Sequence, residues 1–272
     1  MKISTAKKLL KMTRELYENE AQAFSDTRKE VWEREILDFV DNIEPGSSVL
    51  DLGCGNGRLL DKILKLKTKN LKPQLKNKKL DISYLGIDPS KKLIEMNKTK
   101  FSIGSAIVPQ ISAIFKVGDG LTLKYENKFD HVISIAVLHH IPSEELQLQF
   151  LQNIYNSLKH GGEVLISVWN RLQTRYIKLQ SQKSPQMTGQ APVKSQNDKI
   201  DKLFESKELD QNDQIIPWRQ TGQFRYICVF TPTELKNLAK KAGFKNIKVA
   251  ASKHGEKTSI DKALGIYLIA NK

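Results

Sequence analysis

The chain has 272 residues, 39% of them hydrophobic and 27% charged, which suits one sizeable domain with additions or at most two small ones. No run approaches the ~20 apolar residues of a bilayer-crossing helix. The two cysteines, Cys54 and Cys228, are too few for a disulfide framework or a zinc site, so no metal is expected. Forty-four Lys and Arg against 30 Asp and Glu give a net charge of +14, a balance that favours polyanionic partners, nucleic acid first and a membrane surface second.

Residues 1–45 read as an N-terminal helical cap. Leu9, Leu10, Met12, Leu16 and Tyr17 recur at helical spacing, and a second segment follows around Val31, Ile36, Leu37 and Val40. The opening "MKISTAKKLLKMTREL" is amphipathic and lacks the apolar centre of a signal peptide, so a cytoplasmic location is expected. After "EPGSS", residues 46–170 alternate strand and helix, the pattern of a doubly wound sheet. Strands are expected at 48–52, 82–88, 113–119, 131–138 and 163–170. A helix starts after Ser90, and another runs from Ser143 to a stop at Gly161-Gly162.

Two segments interrupt this order. Lys62 to Lys79 carries eight lysines and Pro73, and reads as a long solvated loop or an RNA-phosphate contact. Residues 178–213 are rich in Gln, Ser and Pro without apolar periodicity and read as a flexible insertion after strand five. From 214 to 272 a C-terminal segment follows, with a helix at 233–243 and two strands, "FKNIKVAAS" and "ALGIYLIANK", expected as a sheet-edge hairpin.

The chemistry begins at "VLDLGCGNGRLL" (49–60), where a strand runs into Gly53, Gly55 and Gly57 before a helical pattern. Bare backbone lets a ligand approach such a turn closely. Two details disfavour a dinucleotide: Arg58 fills the third glycine position of that fingerprint, and Asp51 would repel a pyrophosphate. A carboxylate there suits a cationic ligand without phosphates, such as S-adenosylmethionine.

With seven strands, a final hairpin and an Asp-x-Gly-x-Gly-x-Gly turn, residues 40–170 and 225–271 resemble the class I S-adenosylmethionine-dependent methyltransferases. The resemblance implies an α/β, Rossmann-like doubly wound seven-stranded sheet within a single methyltransferase domain over 1–272. It implies that Gly53, Gly55 and Gly57 approach the methionine part of the cofactor, with Asp51 near its ammonium group. Asp88, at the end of the second strand, would accept the ribose hydroxyls, or else cap the following helix. Asp119, followed by Gly120, would take the adenine amino group. Ile135 and Ala136 would pass beneath the cofactor.

Four further stretches, "YENEAQAFSDTRKEVW", "ISIAVLHHIPSEE", "GGEVLISVWN" and "IIPWRQTGQFRYICVFTPTEL", resemble the tRNA wobble-uridine methyltransferases that esterify 5-carboxymethyluridine, and the methyltransferase domain of the AlkB-homologue enzyme. That resemblance implies a tRNA substrate and places Arg28, His140, Arg225 and Tyr226 around the modified uridine; the alternatives are that Arg28 pairs with Glu30 or Glu33 on a helix surface and that Tyr226 is a sheet residue alone. An arginine fork matches a carboxylate bidentately, which suits an anionic nucleophile. His139 is expected to pack or cap, and Trp32, Trp169 and Trp218 to serve core or lid packing. The family commonly uses a small zinc-binding activator protein that covers an apolar sheet edge. This chain departs from the family pattern at Glu33, where proline is common, and at Ile227 and Cys228, where tyrosine and histidine stand. A methyltransferase of a small acid or quinone-type metabolite is the alternative on the same scaffold, and a non-catalytic partner-binding subunit a further one.

Overall fold

The computed structural model describes residues 1–28, 30, 33–69, 81–103, 111–170, 208–218, 221–253, 256–260 and 262–272. Its strands in chain order are β1 (Ser48–Leu52), β2 (Ile82–Asp88), β3 (Ile111–Val117), β4 (Phe129–Ile135), β5 (Leu158–Trp169), β6 (Asp213–Trp218), β7 (Gln223–Cys228), β8 (Lys245–Lys253), β9 (Glu256–Lys257) and β10 (Gly265–Asn271). The main sheet runs β3-β2-β1-β4-β5-β10-β8-β9, with β6 and β7 forming a separate hairpin. Because β9 is only two residues long, seven strands carry the sheet, as the doubly wound pattern predicts. β1 to β5 are parallel, and the order reverses at β1 and β4. Ligands of open α/β sheets bind at the C-terminal edge of that switch point.

The helices are α1 (Ile3–Asn19), α2 (Ala21–Thr27), α3 (Arg34–Asp41), α4 (Arg58–Lys69), α5 (Lys91–Ile103), α6 (Glu144–Ser157) and α7 (Pro232–Lys241). Both sheet faces are covered. One core gathers Leu52, Val132, Phe150 and Ile166 beneath α6 and α7, and the other gathers Val40, Val49, Ile63 and Ile133 beneath α3 and α4. Thr231 and Glu234 form a reciprocal capping box that starts α7. Among the described residues no helix is long and apolar enough to cross a membrane.

Several features differ from expectation. β3 and β4 each begin and end two or more residues earlier than the apolar runs suggest, because β3 takes its register from β2, with Ile111 opposite Ile82. α6 stops at Ser157, since fully buried Leu158 turns extended to pair with Phe129. Gly161-Gly162 then sits in a β5 bulge, where pairing jumps from Phe129↔Leu158 to His131↔Glu163. β8 and β10 pair antiparallel at that end of the sheet, as the expected hairpin, with β10 on the inner side against β5 and only the two-residue β9 beyond β8.

The two interruptions also resolve in part. Residues 62–69 of the lysine-rich segment belong to α4, where Lys67 donates to the Asp41 carbonyl at 2.8 Å; residues 70–80 lie outside the described residues. The expected insertion at 178–213 lies outside them up to 207, but its last part is docked. Thr5 Oγ1 donates to Glu208 at 2.9 Å, and the Met1 amino group pairs with Asp210 at 3.0 Å. These contacts, with the bond from the Tyr226 amide to Thr13 Oγ1 at 3.1 Å, lay α1 along the β6–β7 hairpin.

Candidate active site

The glycine loop between β1 and α4 directs its amides inward. Gly53 and Cys54 donate to the Ile87 carbonyl at 2.7 and 3.0 Å, Gly55 donates to Asp88 Oδ2 at 2.9 Å, and Gly57 donates to the Cys54 carbonyl at 3.0 Å. Four committed N–H groups leave no cradle for a pyrophosphate, in agreement with the reading of Asp51 and Arg58. Glycine is required at Gly53, whose φ is +81° and where a Cβ would stand 2.2 Å from Val137 Cγ2. The site residues expected from the sequence, all but Gly57 and Tyr226, line one cavity of about 260 Å³. Gly57 serves from behind, where a Cβ would meet Phe101 at 2.7 Å.

Two buried carboxylates form one wall of the cavity. Asp51, 2% exposed, accepts from the Tyr84 hydroxyl at 2.5 Å, and Asp88, 7% exposed, accepts from the Gly55 and Ser90 amides at 2.9 Å each. Burial pushes Asp51 up to about 7 and Asp88 up to about 6; the bonds from Tyr84, Ser90 and Gly55 oppose this only in part. Ser90 itself caps α5, since its Oγ accepts from Leu93 N at 3.2 Å. A pocket whose acids resist ionisation is relieved by a cationic guest, so these residues fit S-adenosylmethionine.

The pH dependence has a definite sign. Each acid holds its proton more tightly in the folded state, so the associated stability of the ligand-free protein is full below about pH 4 and is lost as pH rises through 6 to 7. Binding a cation expels those protons. Cofactor affinity measured by calorimetry is therefore expected to rise several-fold from pH 5.5 to 8, with proton release that scales with buffer ionisation enthalpy. Asp119 sits farther along the cavity, forms an ion pair with Arg14 of α1 and accepts from Leu121 N at 2.9 Å. Gly120 lacks a side chain where a Cβ would stand 2.2 Å from the Phe150 ring. Ala136, on the floor with Ile135, has φ +59° and is held by its amide, which donates to Ser167 O and Oγ at 3.1 and 3.0 Å.

The opposite wall is aromatic and basic. The Arg225 guanidinium carbon lies 4.5 Å from the Trp169 ring centre and 4.8 Å from that of Trp218. Arg28 reaches the same Trp218 ring at 5.4 Å, with Phe24 at 5.0 Å. His140 Nδ1 meets the Tyr226 carbonyl at 2.8 Å, and its Nε2 meets the Tyr17 hydroxyl at 2.9 Å. Because a carbonyl only accepts, Nδ1 carries the proton and Nε2 is the acceptor. Burial, aided by the Arg225 charge, pushes His140 down to about 3. His139, 0% exposed, stacks on Trp169 and receives the Trp169 amide on Nδ1 at 3.3 Å. Its proton is therefore on Nε2, which has no hydrogen-bond partner.

Arg28, His140 and Arg225 thus line one cavity, and the Tyr226 side chain does not. That side chain points to the other face of β7, where the hydroxyl donates to Asp213 at 2.5 Å within the core, and only the residue's carbonyl serves the site. Neighbouring strand residues point to opposite faces, so Arg225 and Tyr226 cannot both enter one cavity. The sequence reading did not place Tyr17 at the site; His139 packs on Trp169, and Trp169 and Trp218 pack against the Arg225 guanidinium, in line with the packing roles expected for them. Trp32 lies outside the described residues.

The switch-point cavity, its glycine turn and its paired acids define a class I S-adenosylmethionine-dependent methyltransferase domain. A family model described as "Methyltransferase domain" matches residues 24–249, and the chain belongs to that family. It is 33% identical over 166 residues to the tRNA (carboxymethyluridine(34)-5-O)-methyltransferase alkbh8 of Xenopus tropicalis, covering 61% of this chain and 22% of that protein. To the enzyme of the same description in Schizosaccharomyces pombe it is 28% identical over 230 residues, covering 84% of this chain and 86% of that one. The chain spans about a quarter of the length of the frog and mouse relatives, 22% and 25%. A solved S-adenosylmethionine-dependent methyltransferase from Methanosarcina mazei shares the fold, with a TM-score of 0.59 and 19% identity over 86% of this chain and 96% of that one.

Proposed function

We propose that this protein is a tRNA methyltransferase that esterifies the carboxymethyl group of a modified wobble uridine. The observation that carries the reading is the Arg225 guanidinium, 8% exposed between two indoles, whose Nε has no hydrogen-bond partner and which makes no ion pair with a carboxylate among the described residues. A guanidinium buried with the Tyr17 hydroxyl as acceptor, at 3.2 Å, and no counter-charge among the described residues is costly and calls for an anion. The unpartnered Nε2–H of His139, packed on the same Trp169 ring, offers that anion a second donor. The names of the curated relatives and the net charge of +14 favour RNA as the carrier of the anion.

The cofactor, when bound, supplies an electrophilic methyl carbon. The chain's residues do the rest by placement. A carboxylate nucleophile is already ionised at neutral pH, so no strong base is needed, and His140, with both nitrogens engaged, is a structural group. Arg225 grips and orients the carboxylate, Arg28 adds positive charge beside Trp218, and Asp51 and Asp88 hold the cationic and ribose parts opposite. Trp169 and Phe24 line the cavity, and with Trp218 packed against Arg28 and Arg225 they exclude water from the junction. Residues 1–45 act as the cap over this site and 214–272 supply its acceptor side, within one unit.

An activator protein fits the edge strand β3, which leaves Ile114 53% and Val117 54% exposed. A Haloferax volcanii methyltransferase solved in complex with the Trm112 activator is similar in fold, with a TM-score of 0.54 and 14% identity over 95% of this chain and 96% of that one. The decisive experiment incubates the full chain, with and without such an activator, with labelled cofactor and tRNA bearing 5-carboxymethyluridine. Label in a base-labile methyl ester at the wobble position is expected. Label absent from tRNA but transferred to free small acids overturns the tRNA reading.

A further inference from the structure

One hydroxyl of α1 joins the two groups that define the acceptor side. Tyr17 Oη lies 2.9 Å from His140 Nε2 and accepts from Arg225 Nη1 at 3.2 Å. The polarity of this chain is forced from both ends. A guanidinium can only donate and the Tyr226 carbonyl can only accept. The order is therefore Arg225 to Tyr17, Tyr17 to His140 Nε2, and His140 Nδ1 to the Tyr226 carbonyl at 2.8 Å. The tyrosine ring is held edge-on by Phe24, His140 and Trp218, with centroids 5.4, 5.4 and 5.9 Å away.

We infer that Tyr17 is a positioning residue that sets the in-plane orientation of the Arg225 guanidinium, and so makes seating of α1 a condition for recognising the substrate anion. The inference rests on the acceptor reading above and extends it to α1, which lines the cavity through Leu10, Thr13, Arg14 and Tyr17. The Trp169 and Trp218 rings lie 4.5 and 4.8 Å from the guanidinium carbon, and such ring contacts, which lack hydrogen-bond acceptors, do not by themselves fix which N–H groups face the cavity. The bond at Nη1 removes this freedom. It leaves Nε, which has no hydrogen-bond partner, as part of an edge that can meet a carboxylate bidentately. The same α1 surface supplies Thr13, which accepts from the Tyr226 amide at 3.1 Å, so helix, hairpin and guanidinium are tied together at two points.

The test compares binding of two anticodon stem-loop RNAs by the full chain, one bearing 5-carboxymethyluridine and the other its neutral isostere 5-carbamoylmethyluridine. The wild-type protein is expected to prefer the anionic loop by at least about tenfold. Tyr17→Phe keeps the ring contacts and is expected to lose most of that preference, with cofactor affinity unchanged within about twofold. Thr5→Ala, which removes the α1 bond to Glu208 far from the site, controls for loosening of the helix and should retain the preference. A Tyr17→Phe protein that still discriminates as wild type overturns the role of Tyr17 alone, as does equal loss in Thr5→Ala. Equal binding of both loops by the wild type overturns the acceptor reading, and the Tyr17 role with it.

Discussion

Arg225→Ala should lower methyl transfer to tRNA at least ~100-fold while cofactor affinity stays within about threefold, as expected when an orienting group on the acceptor side is lost. The split between the two effects follows from placement. Arg225 reaches the cavity from β7, against Trp169 and Trp218, whereas the glycine turn and acids come from β1, β2 and their loops. The alanine also leaves a gap between the indoles, so substrate that still binds does so without a fixed angle to the methyl group. Arg225→Lys is expected to recover little, because an ammonium cannot fill the flat slot or present two parallel N–H groups. Single-turnover rates with both substrates saturating, beside calorimetric cofactor titration, separate these effects. A parallel loss of cofactor binding would place Arg225 on the wrong side of the site.

The glycine-and-acid half of this cavity was legible because its signals are local. An apolar strand, three spaced glycines and an acid at the end of the next strand are each set by a few neighbouring residues, and Gly53, Gly55, Asp51 and Asp88 stand where those signals put them. The acceptor half depends on contacts between residues far apart in sequence, such as Tyr17 with Arg225, 208 positions away. No periodicity announces such a contact. The pair His139 and His140 shows the limit well: both follow β4, and only the packed structure shows that His140 is saturated while His139 keeps a donor with no acceptor. Tyr226 is a different case, since strand alternation alone separates its side chain from that of Arg225 once β7 is recognised. The place of β10 between β5 and β8 was not readable, because pairing order across a sheet has no local code. The Gly161-Gly162 stop was misread for an energetic reason: burying Leu158 against the sheet outweighs continuing α6 for one more turn.

Asp88→Ala is expected to weaken cofactor binding at least ~100-fold, and to do so without a matching loss in the stability of the ligand-free protein. The carboxylate holds the Gly55 amide of the glycine turn and the Ser90 amide at the start of α5, each at 2.9 Å. Without it, two largely buried N–H groups lose their acceptor, at roughly 1–3 kcal/mol each, and the ribose hydroxyls lose the group proposed to receive them. In the ligand-free protein that cost is partly offset, because the substitution also removes an acid that burial holds at about 6. On the proposed ribose contact the bound state has no such relief, since the contact requires the carboxylate ionised and fully engaged. The two states therefore respond unequally, and the difference is measurable as the rise in melting temperature on adding saturating cofactor. That rise should nearly vanish in Asp88→Ala and be intermediate in Asp88→Asn, whose single carboxamide oxygen can serve only part of the set. If the substitution instead lowers both melting temperatures equally, Asp88 is a cap and brace of the β2–α5 junction, and the ribose contact lies elsewhere.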